Sequence, residues 1–268
     1  MKTLIVFAII SIFSLPTPAQ CKSKHSSFAA GERIEYNVAY QWGFIWVDAA
    51  TASFEASLTN YKNKPAWYFN SYGNSKPSYD WFFKVHDRFQ AYTDTATFIP
   101  IWADRTSDEG GYNVFENYVF DSEKNKIIAI CSASDKPKRT DTLDIKFCLN
   151  DLLTAVYYAR NLDFSNCKIG EKIPIWVLVM NKVYPLYIRY QGIEVITMHD
   201  KTKYRCIKFS SKLVEGTIFK GGEDMFVWVT DDPNHVAVKI QARIIVGSVI
   251  AELTKYKGLK YPFSSKIE

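Results

Sequence analysis

The chain has 268 residues, 47% hydrophobic, 16% aromatic and 23% charged, so it has the apolar content to bury a core and is neither disordered nor fibrous. Its 12 Gly and 10 Pro exclude a low-complexity or collagen-like chain. A formal charge of +5, spread without a long basic block, offers no surface that would neutralise many phosphates, and nucleic acid is not an expected partner.

Residues 1–19 read as a cleaved secretory signal: Lys2, an apolar run from Leu4 to Leu15, then small Thr17 and Ala19 three and one residues before a cut. The run is shorter than the ~20 residues that span a bilayer as a helix, and no later stretch approaches that length. No transmembrane segment is therefore expected once the signal is removed. Cys21 raises lipid anchoring as an alternative, although Pro18-Ala19-Gln20 lacks the apolar and small residues of a lipoprotein signal. The mature chain is expected to comprise a flexible leader over 20–29, a single β-rich domain over 30–262 and a tail over 263–268.

From Gly31 the pattern has a period of two. Ile34, Tyr36, Val38 and Tyr40 alternate with polar or small residues, a turn follows near Gln41-Trp42-Gly43, and Ala50, Ala52, Phe54, Ala56 and Leu58 form one face of the return strand. Further strands are expected at 66–71, 88–92, 112–120, 126–131, 173–179, 183–190, 193–198, 204–209, 225–230, 236–246 and 248–256. Turns at 60–63, 121–125 and 231–234 punctuate them. Lys136-Pro137-Lys138-Arg139 reads as a solvated loop, with contact to anionic headgroups as the minority reading. One helix, over about 149–161, interrupts the strands: Leu149, Leu152, Leu153, Val156 and Tyr157 recur at helical spacing, Asn150 or Asp151 can cap it, and Arg160 lies in its last turn. The expected architecture is mainly β, a large curved antiparallel sheet or open barrel-like meander with one central α-helix.

In an oxidising compartment Cys131, Cys148, Cys167 and Cys206 are candidate disulfide partners, with three pairings open and free buried thiols the alternative. Their separations match no zinc spacing. The chain has no G-x-S-x-G, P-loop, dinucleotide-binding turn or H-E-x-x-H. His86, His199 and His235 stand near acids but at no ligand spacing, so neither metal nor cofactor is expected. Asp108-Glu109 and Asp231-Asp232 are acid pairs of the kind that serve glycosidases or calcium, and more often turns.

The densest feature runs from Pro77 to Phe89. Tyr79, Trp81, Phe82 and their aromatic neighbours can line an apolar groove, with Asp87 and Arg88 as polar ends, or can simply be core. Tyr158, Arg160 and Trp228 complete the candidate binding set.

Gly31-Glu32-x-x-x-Tyr36 with Gly43, Asp87-Arg88, Asp151-Leu152-Leu153 leading to Tyr157-Tyr158-Ala159-Arg160, Gly192-x-Glu194, Val227 through Asp232, and Val246-Gly247-Ser248 occur in order along the mature chain. Together they resemble an exported bacterial family, domain-of-unknown-function family thirty-one-oh-eight, in a Bacteroidetes-like form. Ala49-Ala50 departs from the glycine expected after the first turn. The resemblance implies a mostly β fold in the periplasm of a Gram-negative envelope, and no activity. The leading expectation is a non-enzymatic envelope protein that binds a lipid, another amphipathic ligand or a partner protein on a concave β surface. A glycan hydrolase using Asp87 and Asp231, with Trp81 or Trp228 stacking on sugar, and a structural or assembly factor are the alternatives.

Overall fold

A computed structural model describes residues 26–81, 83–145, 148–213 and 222–268. The first meander is β1 (Glu32–Trp42), β2 (Ile45–Tyr61), β3 (Lys64–Ser75), β4 (Val85–Asp94), β5 (Pro100–Glu109), β6 (Tyr112–Asp121), β7 (Lys126–Ala133) and β8 (Lys136–Asp144). A two-residue strand β9 (Leu149–Asn150) leads into helix α1 (Leu152–Arg160). The second meander is β10 (Lys172–Val179), β11 (Lys182–Thr197), β12 (Lys203–Leu213), β13 (Gly222–Thr230), β14 (Ala237–Arg243) and β15 (Ser248–Lys257), followed by β16 (Lys266–Ile267). All belong to one sheet, ordered β8-β7-β6-β5-β4-β3-β2-β1-β15-β14-β13-β12-β11-β10-β9, with β16 on β12. Pairing is antiparallel except between β9 and β10. The seam between the meanders is β1 against β15, where Arg33 faces Lys257 and Gln41 faces Ser248.

The mainly antiparallel sheet with one helix is the architecture the alternation predicts. Details differ. Asp94 to Glu109 carried no strand expectation, yet Pro100–Glu109 is β5. The basic segment read as a loop is the start of edge strand β8, whose charges and Pro137 suit an unpaired sheet edge. The two strands expected at 183–190 and 193–198 are one, with a bulge at Gly192, whose φ of 98° suits a residue without a Cβ. The helix begins at Leu152 and not at 149, because Leu149 and Asn150 pair with Trp176 and Val177. Asp151 caps it, accepting from the amides of Leu153 at 2.9 Å and Thr154 at 3.0 Å.

Register shifts in the β1–β2, β1–β15, β4–β5, β11–β12, β12–β13 and β13–β14 ladders sharpen the curl of the sheet. Its free ends meet through side chains: the turn between β10 and β11 packs on the inner face of β6 and β7. There the Met180 amide and the Tyr118 hydroxyl donate to buried Glu116, and the Cys131 thiol donates to Asn181 Oδ1 at 2.7 Å. Two opposite rims result. One carries the turns 43–44, 110–111, 134–135, 180–181 and 244–247 and the loop 76–84; the other carries Ser27, the turn 231–236 and the C-terminal end of α1.

Candidate binding cavity

Helix α1 lies inside the curl and divides the interior. Leu153 and Tyr157 face the first meander, where Tyr157 stacks on Phe69 at 3.9 Å and meets Phe28 edge-on at 5.0 Å. That side is filled. On the other side Leu152, Ala155 and Ala159 face a cluster built on Ile175, Val177, Ile188, Phe209, Val227 and Val229. Here the packing is incomplete. A cavity of about 260 Å³ remains, lined by these residues with Ile34, Tyr36 and Phe54 from β1 and β2, Phe164 after the helix, and Met225, Ala237 and Ile240. Small residues on the facing helix surface, Ala155 and Ala159, leave the gap.

The cavity has a closed end and an open one. At the rim carrying the end of α1, the Arg160 guanidinium seals it: Nη1 and Nη2 donate to the two Glu32 carboxylate oxygens at 2.5 and 3.0 Å, Nη2 also to the carbonyls of Ser27 and Asn234, and Nε to Asn234. Both members of this ion pair are buried. His235 Nδ1 donates to the Arg160 carbonyl at 2.8 Å, and burial lowers its pKa, so the ring is neutral at pH 7. Asp232 holds the adjacent turn, accepting from Thr230, Asn234, Ser264 and Ser265. Towards the opposite rim the lining changes from buried Phe164 and Val229 to half-buried Leu186, Met225 and Ile240, and Val156 of the helix is exposed. The mouth therefore opens on the rim of the 43–44 and 244–247 turns.

Polar groups are few inside. Burial raises the pKa of Tyr36 and Tyr157, so both remain phenols, and the buried Tyr157 hydroxyl has no hydrogen-bond partner among the described residues. Near the mouth, the Arg189 guanidinium bonded to Glu223 holds that carboxyl down to about 2, and Tyr187 also donates to it. No free charge points at the cavity from either ion pair, so it suits a hydrocarbon better than a reacting polar substrate.

The structure disperses the residues singled out from sequence. Of the eight, Arg160 lines the cavity among the described residues, and its charge is spent on Glu32. Tyr158 packs between the two clusters flanking the helix. Tyr79 ends a short 3-10 turn, Trp81 projects into solvent beside it, and Phe82 lies outside the described residues. On β4, Asp87 accepts from Ser107 and its pKa is raised by burial, while Arg88 donates to Asp104 and Thr106. Trp228 belongs to a second cluster with Met198, Tyr204, Cys206 and Val238, its indole donating to Glu194. Asp87 and Asp231 sit at opposite ends of their strands, and Asp231 is paired with Arg205. Such a placement does not bring two carboxylates onto one glycosidic bond.

The histidines are equally separate: His86 bonds Asn74, His199 stacks on Trp46 and His235 is in the clamp. Among the described residues no group of His, Cys, Asp and Glu could hold a metal. Cys131, Cys167 and Cys206 are free thiols, the alternative left open beside bridges for the four later cysteines. They lie on β7, in the loop after α1 and on β12, and burial pushes the Cys206 thiol up to about 12. Cys148 is disulfide-bonded, to none of those three. Cys21 and the signal segment lie outside the described residues.

The cavity-lining set was missed because each member reads as ordinary core. The motif pieces instead mark architecture: Glu32 and Arg160 form the clamp, Asp151 the cap, and Asp232 the turn. Gly247, at φ 79°, lies so close to the Gln41 carbonyl that a Cβ would collide with it.

Among solved structures the chain is similar to a beta-barrel-like protein of domain of unknown function DUF1849 from Brucella abortus. The TM-score is 0.53 at 8% identity, over 87% of this chain and 99% of that one, a likeness of fold. No curated protein matches the chain. Residues 35–254, from the first strand to the last of the seam, match the family described as Protein of unknown function (DUF3108), and the chain belongs to that family.

Proposed function

We propose that this protein is a non-enzymatic carrier that holds the hydrocarbon part of a lipid or similar amphiphile between α1 and strands β10–β14. The observation that carries this reading is the cavity itself. The space is about 260 Å³, opens at one end and is lined almost wholly by apolar side chains, so water inside it finds few hydrogen-bond partners and hydrocarbon displaces it favourably. If a methylene takes about the volume of a water molecule, ~30 Å³, the space holds about nine. At ~0.8 kcal/mol per buried methylene such a chain gains roughly 7 kcal/mol before the cost of association, so binding by the hydrocarbon alone is weaker than micromolar, which needs about 8 kcal/mol.

The proposal includes export. It rests on Lys2, the apolar run Leu4 to Leu15 and small Thr17 and Ala19, and N-terminal sequencing of the protein from the cell-envelope fraction tests it. The binding reading is tested with cis-parinaric acid, whose fluorescence rises in an apolar site, and with saturated carboxylic acids of increasing length as competitors. Competition that strengthens with length and levels off once the cavity is full is expected. No fluorescence gain, together with no lipid in solvent extracts of the protein from its native source, would sink it.

A further inference from the structure

We infer that the rim around the cavity mouth is a bilayer-docking surface, with the tips of its hairpins inserted among lipid headgroups; this rests on reading the cavity as a hydrocarbon site. Three neighbouring connections carry large apolar side chains that are more than half exposed. Phe44, on the two-residue turn between β1 and β2, is 100% exposed, and Trp42 beside it 56%. Ile245 and Val246, between β14 and β15, are 58% and 52% exposed, and Trp81, in the loop between β3 and β4, is 83% exposed. Their strands are consecutive in the sheet, so the tips stand side by side. Two are also locked together: the Tyr40 hydroxyl donates to the Val246 carbonyl at 3.2 Å, and Gly247 packs on the Gln41 backbone.

Two observations favour a bilayer over a protein as the occupant. First, the tips stand on the rim towards which the apolar cavity opens. A hydrocarbon chain leaving it through water would lose the burial of every methylene, whereas a mouth seated on a bilayer passes it from one apolar phase to another. Secondly, the tips are separate protruding rings, Trp42, Phe44 and Trp81, and such rings, with tryptophan among them, suit the bilayer interface better than a flat protein face. The charges beside them are balanced, Lys84 being paired with Asp108 at 3.9 Å, so contact rests on the apolar tips and not on attraction to anionic headgroups.

The full mature protein is floated with vesicles of phosphatidylethanolamine and phosphatidylglycerol, and its tryptophan fluorescence is quenched with brominated lipids. Wild type is expected to co-float and to be quenched. A variant combining Phe44→Ser, Trp42→Ser and Ile245→Ser should lose vesicle binding by about tenfold or more while keeping its unfolding temperature and its parinaric acid affinity, since none of the three lines the cavity. Wild type that fails to float, floats without quenching, or floats no better than the variant overturns the docking surface. Capture of a protein partner that the variant loses, with vesicles ignored by both, assigns the rim to a protein and also overturns it. Vesicle binding without parinaric acid binding would instead refute the cavity reading and leave the rim contact standing.

Discussion

Replacing Ala155 by Phe tests the cavity in two directions at once. Ala155 lies on α1 facing the void, so a phenyl ring there enters space that is otherwise unfilled. Burying the ring gains roughly 1.5–3 kcal/mol, against about 0.5 kcal/mol lost in helix propensity. The net gain of ~1–2.5 kcal/mol should raise the unfolding temperature by a few degrees, since about 1 kcal/mol moves a domain of this size by ~2–4 °C. The same ring occupies a large share of about 260 Å³, so parinaric acid affinity should fall at least about tenfold. Differential scanning calorimetry of ligand-stripped protein and fluorescence titration measure the two effects. In a tightly packed core the substitution would destabilise by ~1–3 kcal/mol through overpacking. A lowered unfolding temperature with unchanged ligand affinity would refute the reasoning.

Removing the charge of Arg160 with Arg160→Met should cost about 3–5 kcal/mol in urea denaturation, because it strands the buried Glu32 carboxylate, and Glu32→Leu in the same chain should recover most of that loss. Tyr157→Phe removes a buried hydroxyl without a described partner and should be neutral or stabilising by up to about 1 kcal/mol, measured in the same way. Burial lowers the His235 pKa below its unfolded value of 6.5, so the unfolded chain binds the proton first. That stability contribution is complete above pH 6.5 and is lost as pH falls towards the folded pKa. Urea midpoints of wild type should drop over this window more than those of His235→Leu.

Alternation made most of the sheet legible because most strands bury one apolar face. Strand β5 escaped it because its inward positions after Ala103 are Arg105 and Ser107, polar residues satisfied by Glu116 and Asp87, while Asp104 on the other face is held by Arg88 and Asn117. Strand β8 escaped it because an edge strand with both faces in water has the composition of a loop. The aromatic run from Tyr79 to Phe89 looked like one surface, yet it crosses from a 3-10 turn into β4. Trp81 is therefore left in solvent while Phe89 packs on the first-meander core under the Arg105 guanidinium. The cavity was not readable at all: whether Ala155, Val177 and Met225 touch or leave a gap depends on backbone separation, which hydrophobic pattern does not encode.

The seam between β1 and β15 has a kinetic meaning. Almost every other ladder joins strands that follow one another, so each meander can assemble hairpin by hairpin at small loop-closure cost. The seam joins opposite ends of the chain, and it cannot form before β15 has been synthesised. Until then β1 presents an open backbone edge, and Arg160 has only the first half of its clamp, Glu32 and Ser27, without the Asn234 carbonyl. Closure of the seam is the slow, high-contact-order step, and the half-sheets that precede it are the species most exposed to edge-to-edge aggregation.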